Sequence, residues 1–428
     1  MSLSDFPTCA YWKHVVADVK VPACPIKVSM PCIGVYGSKT CFSNVGAVCE
    51  PVNIFDLEDG YTDLLQHMTD GAELNLGEQK GDVLNIDLAN LEDSHILLSG
   101  PPCPPWAGNG NKKSTGDTIS QVFHKVLQMI IYLAQRGLLA FIIENVSGIL
   151  AAWSGREPYI HTIRDALIEL LPDWDITIEI VKAAECLLPQ ERNRVLLVGM
   201  RKIVAKHIPT QILCSWGNAV SLESILNPNL PIFNRAQLTG QKGWNLVEWE
   251  MKLKVMQRLG KLTNEVRIAV FALDRDPNKS WVSSISFDKL PTLTCANSFL
   301  FMLKVSELYI EDGFKTLFRF LHPLERFAAQ GLDPGAAGTY LPDRILVKAA
   351  GNAYPPNILA PFLCPIIHAI AEWGGLDAWP NSQEQVQPVI AAKKASLFKH
   401  MIPPKIKKSM KSKKIKKSMK TSRRVKPT

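Results

Sequence analysis

Apolar residues fall into two rhythms along this chain. The runs Ile26 to Met30, Val52 to Phe55, Val83 to Ile86, Ile96 to Leu98, Leu139 to Ile143 and Arg194 to Val198 are short and bounded by polar or turn residues, which predicts strands. Between Ser120 and Gln135 the positions Val122, Val126, Ile130 and Leu133 recur at helical spacing, and Ile163 to Leu171 predicts another helix. Strands alternating with helices from residue 26 to 201 predict an α/β fold on a parallel sheet, whose ligands gather at the carboxyl ends of the strands. From Ile203 to about Asp288 the rhythm changes. Trp216, Trp244, Trp249 and Trp281 appear there, Val247 to Leu273 predicts a helical stretch, and no cluster of reactive side chains stands out. Sheet-like character resumes near Leu290. A helix from Pro323 to Gln330 and another ending at Trp373, kinked by Pro361 and Pro365, close the body.

Composition adds a compartment and a second kind of segment. With 46% hydrophobic and 21% charged residues among 428, the chain can bury one large core or two modest ones. Its ten cysteines are scattered singly, with no CxxC pair to suggest a zinc or redox site, which fits free thiols in a reducing compartment. The longest apolar stretch, Val126 to Ile143, is interrupted by Gln128, Gln135 and Arg136, so no membrane span is expected. The net charge of +8 is uneven: residues 405–428 hold twelve Lys and Arg and no acid. The other 36 basic residues face 40 acidic ones, leaving the body at −4. KIKKSMK occurs at 405–411 and again at 414–420, after Pro403-Pro404. Such a segment cannot fold alone and is expected to be a disordered tail that binds nucleic acid non-specifically, or an import signal, or a solvated face.

Three segments carry candidate chemistry. Ile96–Leu98 runs into GPPCPPW, which sets Cys103 on a proline-braced loop at the end of a buried strand. Taken singly, a cysteine is structural more often than catalytic. Leu139–Ile143 ends in Glu144-Asn145-Val146, putting a carboxyl group at the carboxyl edge of a neighbouring strand; taken alone it reads as a solvated loop acid more often than as a partly buried one with a raised pKa. In PQERNRVLLVG, at 189–199, Gln190, Arg192 and Arg194 alternate on entry to a strand and point to one face.

In this order the three segments resemble the cytosine-5 DNA methyltransferase family, over about Lys27 to Leu363. Pro102-Cys103 is similar to the family's Pro-Cys, Glu144-Asn145-Val146 to its Glu-Asn-Val, and Gln190 to Arg194 to its Gln-x-Arg-x-Arg. RFLHPLERFAAQGL at 319–332 and GNAYPP at 351–356 are similar to two late motifs. The resemblance implies a Rossmann-like methyltransferase sheet with a smaller target-recognition domain, S-adenosyl-L-methionine as cofactor and double-stranded DNA as substrate. It implies Cys103 as nucleophile at carbon 6 of cytosine, Glu144 at ring nitrogen 3, Arg194 at the base oxygen, and Arg192 supporting the loop and nearby phosphates. Because carbon 6 is inaccessible in a stacked duplex, it also implies base flipping. Cofactor contacts would come from Cys32, Gly34 and Gly37 in the glycine loop, Asp56 on the ribose, Leu57 and Val83 on the adenine ring, Asp82 at its amino group, Pro102, and Asn352 near the methionine part.

The chain departs from the family pattern at several places. Cys32 stands where an aromatic residue is expected and Tyr36 where the middle glycine is; Glu185 to Leu188 lacks a glycine, and Trp106-Ala107 replaces Phe-Ser. No Cys-Phe-Thr follows Arg201, which favours DNA over tRNA as substrate. An inactive homologue that binds nucleic acid or a partner is the third reading. The expected organisation is an extension at 1–25, the catalytic and cofactor-binding domain at 26–202 and 289–380, target recognition at 203–288, a linker at 381–404 and the tail at 405–428. Localisation would be the nucleus in a eukaryote, and otherwise the cytoplasm or nucleoid.

Overall fold

Continuous apolar runs build the centre of the main sheet. In the computed structural model, which describes residues 18–102, 118–152, 157–209, 218–231, 237–262, 266–278, 285–295, 300–304 and 319–376, its strands are β1 (Ile26–Pro31), β2 (Cys49–Asp56), β3 (Leu74–Leu76), β4 (Ile96–Ser99), β5 (Ala140–Val146) and β6 (Trp174–Lys182). A two-residue β7 (Gln190–Glu191) precedes the last of them, β8 (Asn193–Arg201). The order is β3-β2-β1-β4-β5-β8-β6. Ile96, Leu98, Ala140, Ile142 and Leu196 face one core, while Leu97, Phe141, Ile143, Val195 and Leu197 face the other. A strand whose two faces are both covered needs apolar residues at every position, which explains the continuous runs in the sequence.

The helices are α1 (Ser38–Val45), α2 (Thr62–Met68), α3 (Gly77–Lys80), α4 (Thr118–Ala134), α5 (Tyr159–Leu170), α6 (Lys202–Ala205), α7 (Gly240–Arg258), α8 (Pro323–Ala329), α9 (Pro334–Tyr340), α10 (Asp343–Asn352) and α11 (Pro356–Trp373). α4 and α5 cover one face of the sheet, and α1 and α11 the other. Among the described residues no single helix is long and apolar enough to cross a membrane.

The structure corrects the sequence expectation at three points. The sheet is parallel except at β8, which runs antiparallel to both β5 and β6. Lys182 and Asn193 are too close in the chain for the crossover that a parallel return requires, so β8 doubles back. Val83 to Ile86 is not a strand. Asp82 accepts a bond from the Leu84 backbone N–H at 3.0 Å and caps a 3-10 turn at Val83–Asn85 instead. The stretch from Val247 to Leu273 is not all helix either: α7 ends at Arg258, Gly260 takes a left-handed φ of 64°, and the chain re-enters as a strand at Ile268.

That strand, β9 (Ile268–Ala272), opens a second sheet. With β10 (Ile285–Phe287), β12 (Leu300–Lys304) and β13 (Arg319–Phe320) it has the order β10-β9-β12-β13, while β11 (Leu290–Pro291) pairs with β7 instead. The second sheet thus takes in residues beyond 288. Phe271 and Phe301 pack against Leu246, Trp249 and Leu253 of α7, and Val270 and Met302 face Leu222 and Ile225. At the junction with the main body, Arg319 and Glu325 form a bidentate pair, Nη1 to Oε2 at 2.7 Å and Nη2 to Oε1 at 2.6 Å. Both are buried, and the backbone N–H groups of Asn227 and His322 complete the carboxylate's bonding at 2.8 and 2.9 Å.

Candidate active site

The candidate residues converge at the carboxyl ends of β1, β2, β4 and β5. Glu144 lies opposite Leu196 in the β5–β8 ladder, so Arg194, two residues before Leu196, is its diagonal neighbour on the same face. Arg194 Nε is 2.5 Å from Glu144 Oε1, and Arg192 Nη2 is 4.0 Å from the same oxygen. All three side chains are buried, where an ion pair is held in one geometry. The alternation of Gln190, Arg192 and Arg194 places each of them inward, with Glu191 and Asn193 exposed.

The three inward residues do different work. Arg192 donates to the carbonyls of Leu293 (3.2 Å) and Ala353 (2.7 Å), tying the start of the closing segment to the GNAYPP turn. Its guanidinium is 3% exposed, which turns it toward the interior and away from any phosphate at the surface. Gln190 Nε2 bonds the Ala329 carbonyl and Gln330 Oε1, both at 2.8 Å, and Gln330 passes the link to the Ala350 carbonyl at 2.7 Å. Arg194 is the one that meets the acid.

Next to this pair, β4 delivers Gly100-Pro101-Pro102. Asn145 Nδ2 donates to the Pro101 carbonyl at 3.3 Å, and Ser99 Oγ to the Pro31 carbonyl at 2.7 Å, so the entry to the loop is pinned from both neighbouring strands. Cys103 and the rest of that loop, to residue 117, lie outside the described residues, as do the terminal extension up to residue 17, the linker and the tail. A Cβ placed on Gly100 would sit 3.2 Å from the Tyr354 ring and 3.8 Å from Glu144 Oε2, which puts the loop's origin, the acid and Tyr354 together.

The glycine loop after β1 packs against the GNAYPP turn. A Cβ on Gly37 would come 2.5 Å from the Tyr354 carbonyl oxygen, closer than real contacts allow, so only glycine fits. Gly34, at φ +58°, donates its N–H to Asp56 Oδ2 at 2.8 Å, and Glu58 N–H reaches the other oxygen at 2.9 Å. Burial raises the Asp56 pKa, and these two donors work against that rise. Gly81 lies so close to the Asp56 carbonyl that a Cβ there would overlap it at 1.9 Å, which brings Asp82 beside Asp56. Leu57 is half-exposed next to them and Val83 is buried. Asn352 donates to the Tyr61 hydroxyl at 3.1 Å and accepts from Cys295 Sγ at 2.6 Å.

Cys32 and Tyr36, the two departures from the glycine loop, both adopt left-handed backbone, at φ 57° and 50°. Each costs about 1 kcal/mol relative to glycine. The Tyr36 ring is buried in the core with its hydroxyl 3.1 Å from Cys49 Sγ at the first residue of β2. Cys32 N–H bonds the Phe55 carbonyl at 2.7 Å, and burial pushes its thiol pKa up. Tyr61 and Cys295 lie in no motif that the sequence could have flagged; Asn145 and Tyr354 each stand inside one, but their places beside the Gly100 loop needed the geometry.

Comparison with known proteins follows the same outline. A family model described as C-5 cytosine-specific DNA methylase matches residues 72–360. Curated relatives include the Type II methyltransferase M1.ScrFI of Lactococcus lactis subsp. cremoris, 31% identical over 140 residues, 32% of this chain and 34% of that protein. Another is the Type II methyltransferase M.SsoII of Shigella sonnei, 32% identical over 122 residues, 28% of this chain and 30% of the relative. The chain thus spans about a third of the length of these relatives. Among solved structures, S. pombe Dnmt2 methyltransferase aligns over 81% of this chain and 99% of its own, at 9% identity and a TM-score of 0.49.

Proposed function

The chain belongs to the C-5 cytosine-specific DNA methylase family, and on that premise we propose that it transfers a methyl group from S-adenosyl-L-methionine to carbon 5 of cytosine in DNA. The observation that carries the proposal is the buried Glu144–Arg194 pair, 2.5 Å apart, beside the anchored start of the Gly100-Pro101-Pro102-Cys103 loop.

The residues present fit the cofactor. Gly34 and Gly37 let the loop backbone pack close under residues 352–356, Asp56 keeps unused lone pairs on both oxygens for ribose hydroxyls, and Leu57 offers an apolar surface to a ring. Asp82, Val83, Pro102, Cys32 and Asn352 complete the set. When bound, the cofactor supplies an electrophilic methyl group.

Carbon 5 of cytosine is a weak nucleophile until the ring is activated. Cys103 as thiolate adds to carbon 6 of a flipped-out base, forming the carbon–sulfur bond while the ring electrons move toward nitrogen 3. Glu144 supplies a proton or a strong hydrogen bond there, and Arg194 orients Glu144 and meets the base oxygen. The electrons returned from nitrogen 3 let carbon 5 bond the methyl group as it parts from the sulfonium sulfur that the cofactor would supply; water then takes the carbon-5 proton, and the electrons of that bond re-form the ring double bond and expel the Cys103 thiolate. Arg192 acts as a positioning residue that closes the site through Leu293 and Ala353. Basic residues of the tail add non-specific attraction to the phosphates.

The test is a radiolabelled methyl-transfer assay offering duplex DNA and tRNA side by side. Label on DNA with the wild type, abolished in Cys103→Ala while cofactor binding is retained, supports the proposal. Label on tRNA alone reassigns the substrate, and no label with no cofactor binding makes the chain an inactive homologue.

A further inference from the structure

A carboxamide presents oxygen on one side and nitrogen on the other, and a half-turn of the group exchanges an acceptor for a donor. At Asn352 the fold controls that half-turn from both ends. Nδ2 donates to the Tyr61 hydroxyl at 3.1 Å, and Oδ1 accepts from Cys295 Sγ at 2.6 Å. A tyrosine hydroxyl donates or accepts, so Tyr61 alone would tolerate either direction. Cys295 decides between them. Desolvation raises its pKa above the ordinary value, so at neutral pH the thiol keeps its proton and gives it to the oxygen. With the amide reversed, the thiol would face an N–H and could offer only a weak sulfur acceptor.

The sulfur's own place is fixed by the segment that carries it. Leu290 and Pro291 of β11 pair with Gln190 and Glu191 of β7, Thr292 Oγ1 donates to the Glu191 carbonyl, and Arg192 holds the Leu293 carbonyl at 3.2 Å. The chain then runs so close to the end of α10 that a Cβ on Gly351 would lie 2.3 Å from the Cys295 nitrogen. Asn352 and Cys295 are both exposed, and the amide keeps one N–H and one lone pair without a partner among the described residues. The amino-acid end of S-adenosyl-L-methionine carries a carboxylate, which takes an N–H, and an ammonium, which takes a lone pair. Which of them the amide can hold on a given side depends on how it is turned. On the reading of Asn352 as a cofactor contact, we infer that Cys295 is a positioning residue for the amino-acid end of the methyl donor, fixing the direction of the Asn352 amide with Tyr61 as the second hold.

Isothermal titration calorimetry on the full chain with three ligands is the experiment. S-adenosyl-L-methionine and S-adenosylhomocysteine carry the amino-acid end, whereas 5′-methylthioadenosine has the same nucleoside and a thioether without it. Cys295→Ala and Tyr61→Phe should each weaken binding of the first two about fivefold, the equivalent of one hydrogen bond, and leave 5′-methylthioadenosine unchanged. Cys295→Ser, which keeps a donor within reach of Oδ1, should restore the affinity. Equal affinity of the wild type and Cys295→Ala for S-adenosylhomocysteine overturns the inference. So does a loss that extends equally to 5′-methylthioadenosine, which marks a general disturbance of the pocket, or a serine variant as weak as the alanine one. A wild type that binds none of the three ligands refutes the site as a cofactor pocket, and the inference with it.

Discussion

Glu325→Ala should destabilise the protein more than its distance from the candidate site suggests. The substitution removes both bonds to Arg319 and the acceptors of the Asn227 and His322 N–H groups. It leaves a guanidinium that is 4% exposed with only carbonyl contacts, to Asn227 at 3.3 Å and Phe320 at 3.4 Å. Breaking a buried pair from one side costs about 3–5 kcal/mol, most of it the uncompensated charge. At roughly 2 °C per kcal/mol for a body of this size, the melting midpoint should fall by about 8 °C. Differential scanning calorimetry reads this directly. Arg319→Met combined with Glu325→Leu removes both charges at similar volume and should recover at least half of the loss. A fall below about 2 °C, or a double variant as unstable as the single one, would refute the account of this junction as a charge-compensated seam.

Other consequences follow from the same energetics. Arg326 is buried, none of its three guanidinium nitrogens has a hydrogen-bond partner among the described residues, and burial lowers its pKa to about 10. The charged form therefore costs folding energy at neutral pH, so Arg326→Met should raise stability by about 1–4 kcal/mol in urea unfolding at pH 7, and a variant less stable than the wild type would contradict this. His322 caps α8 through Nδ1, and burial lowers its pKa from the ordinary 6.5 despite Glu325 and Asp343 nearby. A lowered pKa means the cap's contribution is present above pH 6.5 and lost as pH falls through the folded-state value. His322→Asn, which keeps a cap but does not titrate, should flatten the stability-versus-pH curve there; an unchanged slope would assign it to other groups. Gly37→Ala should cost about 1–3 kcal/mol of stability from contact with the Tyr354 carbonyl and weaken cofactor binding in calorimetric titration, whereas wild-type affinity would show that the loop relaxes freely.

Much of the fold was legible where one residue type admits one environment. Runs such as Leu139 to Ile143 could be nothing but buried strand, and the alternation of Gln190, Arg192 and Arg194 correctly put all three on one face. β6 was passed over because, at the sheet's edge, its burial alternates and its polar residues dilute the signal. α1 escaped because SKTCFSNV has no apolar stripe; it is held by Cys41 and Phe42 against α11 and not by helix propensity. The reversed direction of β8 depends on what it pairs with, which no local pattern encodes. In the same way the motifs located Glu144 and Arg194, but the pinning of Pro101 by Asn145 and the grip of Cys295 and Tyr61 on Asn352 join residues up to 291 positions apart.

The glycine loop at residues 32–37 is covered by residues 352–356, and Cys41 Sγ reaches the Pro356 carbonyl across 315 positions. During synthesis the strands up to Arg201 can assemble while that cover is still to be made, an interval of roughly ten seconds at ordinary elongation rates. Through that interval the nascent sheet shows its α1 face bare, an aggregation-prone surface that only the returning helix can shield. A message truncated anywhere between β9 and β13 would yield a chain with every strand of the main sheet and a glycine loop still uncovered, because residues 352–356 come last.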